Sequence, residues 1–174
     1  HKLLTEKKLV WNHDVFPADK IVLLNQIHSS KIITVDNQSA GKNILYTSDE
    51  QADGMITNKP ELYLAIKTAD CVPVFLFDEH RLVVAALHSG RKGTAENIVS
   101  KALNIMKSDF NCSLSNVKVV LGPAICRKHY QVDSVCFADF TSRSNSTQIF
   151  PFIDLRSAIK SQIKNAGVLD ENIR

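Results

Sequence analysis

The chain predicts an α+β fold, mixed β-sheets covered by helices, and three observations carry that expectation. Two apolar runs of strand length, 72–77 (VPVFLF) and 82–87 (LVVAAL), flank a polar four-residue DEHR segment, the pattern of an antiparallel hairpin. Directly afterwards the apolar period changes from strand-like to helical, with Ala95, Ile98, Val99, Ala102, Leu103, Ile105 and Met106 on one face. A second amphipathic stretch, 155–166, ends at Gly167, a residue suited to a helix C-terminus.

The remaining elements follow in chain order. Runs 21–25 and 31–35 read as a hairpin joined through a turn around Gln26, His28 and Ser29, and 36–52 reads as a polar loop. Short strands are expected at 54–57 and 62–67, ahead of the central hairpin. Thr94, following Gly93, is placed as the N-cap of the first helix. Run 117–121 reads as a buried strand stopped by Gly122 and Pro123.

At 174 residues, with 44% hydrophobic and 22% charged residues, the chain has ordinary globular composition and enough length to bury a core. A net charge of +3 with both signs interspersed argues against a nucleic-acid partner. The longest apolar stretches are six residues, short of the roughly 20 that span a bilayer, and the opening HKLLTEKK is no signal peptide. The expectation is a soluble cytoplasmic protein with no membrane partner. The cysteines at 71, 112, 126 and 136 form no CxxC, so reduced thiols are expected.

Chemistry concentrates at the outer ends of the central hairpin. If Phe77 pairs with Leu82, Cys71 falls opposite His88, with Cβ atoms about 4.5–5.5 Å apart. A thiol and an imidazole at that spacing serve either as a metal chelate or as a nucleophile–base dyad. Asp70 adjoins the pair. The segment 88–94 (HSGRKGT) then takes the chain from strand to helix through two glycines and two cations. Helix N–H groups assisted by Arg91 and Lys92 suit an anion, whereas the plain alternative is a glycine turn with both cations in solvent. Cys112, Cys126 and Cys136 read as core or partly buried thiols, and His1, His13 and His80 as solvated. His129 either lines a cleft or packs.

Taken together, NQIHSSKIITVD at 25–36, ADGMITNKPELYLAIKTADCVPVFLFD at 52–78, VVAALHSGRKGTAENI at 83–98 and LGPAICRKHYQVD at 121–133 resemble the successive signatures of the YfiH-type family. It is also called the laccase-domain or polyphenol-oxidase-like family of purine nucleoside phosphorylases. The resemblance implies a layered α/β sandwich of the YfiH-like cysteine-hydrolase type, formed by residues 1–174 as one domain that lacks the family's N- and C-terminal segments. It further implies a zinc ion bound by His28, Cys71 and His88. Such a His₂Cys set leaves one position open, the pattern of a catalytic zinc.

The resemblance also implies phosphorolysis of adenosine, inosine and methylthioadenosine, together with adenosine deamination. On that reading Cys71, His88 and Asp70 are catalytic. Arg91, Lys92, Gly93 and Thr94 hold substrate or phosphate, in a monomer or homodimer. The family's usual HAGWRGT reads HSGRKGT here, so Arg91 replaces a common tryptophan and Lys92 a common arginine. Two alternatives stand beside this. One is a copper polyphenol oxidase, weakened by six scattered histidines without an HxH pair. The other is a Cys71–His88 hydrolase of amidase or peptidoglycan-editing type.

Overall fold

A computed structural model describes residues 4–5, 8–11, 14–40, 50–144 and 146–174, so most of the expected 36–52 loop, and His1 and His13, lie outside the described residues. Three strands the sequence reading did not assign open the chain: β1 (Leu4–Thr5), β2 (Lys8–Trp11) and β3 (Asp14–Pro17), an antiparallel meander. There follow β4 (Ile21–Leu23), β5 (Ile32–Thr34), β6 (Gly54–Thr57), β7 (Tyr63–Ala65), β8 (Val72–Asp78) and β9 (Val83–Ser89). The last part holds α1 (Arg91–Ala95), α2 (Ile98–Phe110), β10 (Lys118–Leu121), α3 (Ser134–Ser144) and α4 (Leu155–Ala166). The class is α+β, as expected.

The main sheet runs β10-β8-β9-β6-β5, with β5 parallel to β6 and the other neighbours antiparallel. Alternation along each strand sorts side chains onto two faces. Val72, Val74 and Leu76 of β8, Val83, Ala85 and Leu87 of β9, and Ile56 of β6 join α2 and α4 in the larger core. On the helices that core takes Ile98, Val99, Ala102, Leu103 and Met106, and Leu155, Ala158, Ile159 and Ile163, recurring at three- and four-residue intervals. Met55 and Ala86 belong to the opposite face, where they pack with Val22, Leu24, Val35 and Ala52 in a smaller core. The α4 boundaries match the sequence reading: Asp154 accepts from the Ser157 N–H at the start, and Gly167 closes the helix at φ 104°.

Three expectations are corrected. Runs 21–25 and 31–35 do not form a hairpin, since β4 pairs in parallel with β7 in a separate two-stranded sheet and β5 pairs with β6. The polar segment between them is not a tight turn, because its N–H groups are drawn to a buried carboxylate described below. The helix does not begin at Thr94. The chain turns helical directly after Gly90, forms α1, and restarts as α2 after Asn97 in the left-handed region, φ 60°.

The third correction concerns the central hairpin, where Asp78 pairs with Val83, and Pro73, not Cys71, lies opposite His88. Asp78 sets this register. Its buried carboxylate accepts from the N–H groups of His80 at 2.9 Å and Arg81 at 3.1 Å, while Leu82 takes a positive φ of 51° to complete the loop. Cys112 packs nearby, its thiol pushed up to about 12 by burial and by the hydrogen bond to Asp78.

Because Asp78 closes two donors of this turn, Asp78→Ala is expected to lower stability by about 1–3 kcal/mol. In urea unfolding the midpoint should fall while the slope is unchanged.

Candidate metal centre

Strand alternation decides which residues meet. Asp53 precedes β6, His88 is the penultimate residue of β9 and Cys71 precedes β8; by parity with Met55, Ala86 and Pro73 all three fall on the sheet face opposite the helices. The observed register places Cys71 diagonally from His88 instead of directly across. A shift of two residues keeps both on one face, where a shift of one would have separated them. His28, from the loop after β4, completes a trio whose ligand atoms all lie within 4.8 Å of one another. The two imidazole rings meet edge to face at 4.8 Å.

Asp53 organises this trio. Its carboxylate, fully buried, accepts from the backbone N–H groups of Ile27 at 3.2 Å, His28 at 3.0 Å and Ser29 at 2.7 Å, and from Ser29 Oγ at 2.7 Å. The same carboxylate holds His88 Nδ1 at 2.7 Å. The loop reaches it only by bending, and His28 sits at φ 59°, a conformation that non-glycine residues rarely adopt. Burial alone would raise the Asp53 pKa, but the hydrogen bonds from His88, Ser29 and Ile27 override it and bring it down to about 2. His88 mirrors this: burial pulls it down, yet the hydrogen bonds to Asp53 and then Cys71 raise it to about 9.

The donor set fits a metal ion. With Nδ1 committed to Asp53, His88 has Nε2 left for coordination, the usual arrangement of a carboxylate-oriented histidine ligand. Gly90 keeps the space open: a Cβ there would lie 2.9 Å from Cys71 Sγ and 3.2 Å from His28 Cδ2. Two imidazoles and one thiolate are ligands for zinc or another borderline-soft cation. Among the described residues, no other group of three or more such side chains comes together.

The surroundings form an open cleft of about 510 Å³ lined in part by Asn25, Gln26, Lys67, Thr68 and Asp70. The Gln26 side chain ties its two rims, donating to the Lys67 carbonyl and accepting from the Lys67 N–H, both at 2.8 Å. Asp70 is exposed, and its carbonyl accepts from the Ile125 N–H at 2.9 Å.

Of the cationic segment, Lys92 is exposed and Arg91 pairs with Asp139 at 3.3 Å. Gly93 and Thr94 are buried. Thr94 Oγ1 bonds Ser89 Oγ at 2.8 Å, and Gly93 lets α1 press on the loop, since a Cβ there would stand 2.9 Å from the Ser29 carbonyl oxygen.

Sequence reasoning gave two neighbours of the site no role. Asp53 stood within the ADG of a recognised segment, and a lone carboxylate just ahead of the apolar GMIT run was the available signal. Tyr130 stood within LGPAICRKHYQVD. It is half-buried, and burial and the nearby Cys136 and Cys71 push its hydroxyl up against the pull of Arg91. Cys126, expected to be core or partly buried, is exposed, whereas Cys112 is buried and Cys136 partly so; all four cysteines are free. His80 is exposed, and no described helix is long and apolar enough to cross a membrane.

The family model described as multi-copper polyphenol oxidoreductase laccase matches residues 4–174. The chain belongs to this laccase-like YfiH family. A purine nucleoside phosphorylase of Mycobacterium tuberculosis is 34% identical over 157 residues, covering 87% of this chain and 60% of the relative. Another from Rickettsia conorii is 33% identical over 178 residues, covering 97% of this chain and 69% of the relative. The crystal structure of YfiH from Bacillus licheniformis superposes with a TM-score of 0.80 at 26% identity, covering 90% of this chain and 62% of that one. YlmD from Geobacillus stearothermophilus gives 0.81 at 26% identity, covering 91% and 63%. This family member thus spans about 60% of the length of its mycobacterial relative.

Two outcomes are expected from the geometry. Asp53→Asn should weaken metal binding by the trio about 10- to 100-fold, measured by competition of an added divalent cation with a chromophoric chelator, because His88 and the 27–29 loop lose their common anchor. In metal-stripped protein the depressed Asp53 pKa contributes stability that is fully present above the unfolded value of 3.8 and lost as pH falls towards about 2. Acid titration of the wild type should therefore show a loss of about 2 kcal/mol in that window that Asp53→Asn does not show.

Proposed function

We propose that this chain carries the centre of a zinc-dependent purine nucleoside enzyme that cleaves adenosine, inosine and methylthioadenosine with phosphate and also deaminates adenosine. The observation that carries the reading is the His28–Cys71–His88 trio, anchored by a buried carboxylate and opening on a cleft, with the α1 cations Arg91 and Lys92 following shortly after His88 in the chain. The relatives named purine nucleoside phosphorylase support it. Zinc held by the trio would supply a Lewis acid beside the substrate.

The protein's own groups then have distinct tasks. Arg91 and Lys92 hold the phosphate, with Gly93 and Thr94 fixing the turn that presents them. A phosphate oxygen bonds to ribose C1′ as the C1′–N9 bond breaks, and the departing purine takes a proton from the Asp70 carboxyl. In deamination, water adds at C6 and the 6-amino group leaves as ammonia, again with Asp70 moving the proton. Asp53 keeps His88 in one tautomer and one orientation throughout. A cytoplasmic setting would keep Cys71 reduced.

A second reading has its own observation. Cys71, His88 and Asp53 stand in thiol–imidazole–carboxylate order, the arrangement of a cysteine hydrolase. The copper oxidase reading gains less, because multicopper chemistry needs more imidazoles than the one three-ligand group among the described residues provides.

Metal analysis separates these. Purified protein should hold about one zinc per chain, lost in Cys71→Ala. Stoichiometric copper, or a metal-free protein whose Cys71 is acylated by amide substrates, would overturn the proposal. With inosine and phosphate the protein should release hypoxanthine, and Lys92→Ala should raise KM for phosphate about tenfold with zinc content unchanged.

A further inference from the structure

We propose that Cys126 is a second reactive centre, a thiol that exchanges with anionic disulfides bound in a cationic cleft. Cys126 is exposed at the start of the short 3₁₀ turn Arg127–His129, and its Sγ lies 3.1 Å from His129 Nδ1. The turn is what makes the pair, since it brings residues three apart onto one side. A thiol with an imidazole at that distance has a proton acceptor in place.

The cleft beside it, of about 950 Å³, identifies the ligand class. One wall carries Arg127 and Lys128, and the other carries Arg156, Lys160 and Lys164 of α4, spaced four residues apart on one helix face. Like charges at that spacing repel, so the stripe weakens the helix that bears it. Two of the five are engaged: Arg156 donates to the Leu121 and Gly122 carbonyls, and Lys164 pairs with Asp170. Arg127, Lys128 and Lys160 have no ion-pair partner among the described residues. Among the described residues the only carboxylate lining the cleft, Asp154, already accepts from the Ser157 N–H. A ligand with several carboxylates would balance this wall, and a disulfide within it would meet Cys126. Among the described residues the cleft shares no lining residue with the one around His28, Cys71 and His88.

The step balances without any further oxidant. His129 Nδ1 takes the Cys126 proton, and the thiolate sulfur attacks one sulfur of the bound disulfide. The S–S bond breaks as the new one forms. One half of the ligand stays as a mixed disulfide on Cys126, and the other leaves as a thiolate that recovers the proton from His129. Cys126 is oxidised and the departing half is reduced.

The test uses the full chain, metal-loaded, with three disulfides: glutathione disulfide, neutral 2-hydroxyethyl disulfide and cationic cystamine. Mass spectrometry with peptide mapping should locate one adduct on Cys126, formed at least about tenfold faster with glutathione disulfide than with cystamine. Lys160→Gln combined with Arg127→Gln should slow only the glutathione reaction, and His129→Asn should slow all three. Cys126→Ser should remove the adduct without altering the far-ultraviolet circular dichroism, since the side chain is exposed. Adducts mapping to Cys71, Cys112 or Cys136 instead, or cystamine reacting as fast as glutathione disulfide, would overturn the proposal.

Discussion

The carboxylate of Asp53 is buried against the sheet, and a charge in that position is tolerable only when hydrogen bonds replace its lost hydration. Five donors do so, three backbone N–H groups of residues 27–29, the Ser29 hydroxyl and His88 Nδ1. This demand shapes what surrounds it. The 27–29 loop must fold over the sheet end with His28 in a left-handed conformation, and β4 and β5 are thereby delivered to different sheets. It also holds the His88 ring with one nitrogen turned away. Two of the three candidate ligands are positioned by one side chain that is not itself a member of the trio.

The rest of the fold supports that arrangement from behind. The helix face of the sheet carries the larger core, where α2 and α4 bury their apolar stripes against β6, β8 and β9. That packing leaves the opposite face, at one end of the strands, for polar chemistry. Gly90 and Gly93 matter there for space: the first clears the volume between Cys71 and His28, and the second lets α1 approach the Ser29 carbonyl. The segment read from sequence as a phosphate turn is therefore also the joint that locks the loop to the helix.

Much of this was legible in the residues. The class, the central hairpin and the whole of α4 with its glycine terminus were readable, because hydrophobic period and turn chemistry are local properties. The meander β1–β3 and α3 were not assigned, and the fragmentary strands at the start gave little alternation to read. The hairpin expectation for 21–25 and 31–35 failed for a definite reason. Two apolar runs around a polar turn look the same whether they pair with each other or with partners that come 42 and 22 residues later, as β7 does for β4 and β6 for β5. The cysteine–histidine pair was reached through a register two residues off, and survived because face depends on parity alone.

By itself, the sequence determined which residue types were available for chemistry, the α+β class and the resemblance that gathered His28, Cys71 and His88 into one set. Only the tertiary structure decided that Asp53 anchors the two histidines, that Thr94 is buried instead of capping a helix, and that Cys126 faces a cationic cleft. The physical reason is range. Propensity and periodicity act over a few residues, whereas a buried carboxylate chooses its donors from segments 24 to 35 positions away, and nothing local marks them.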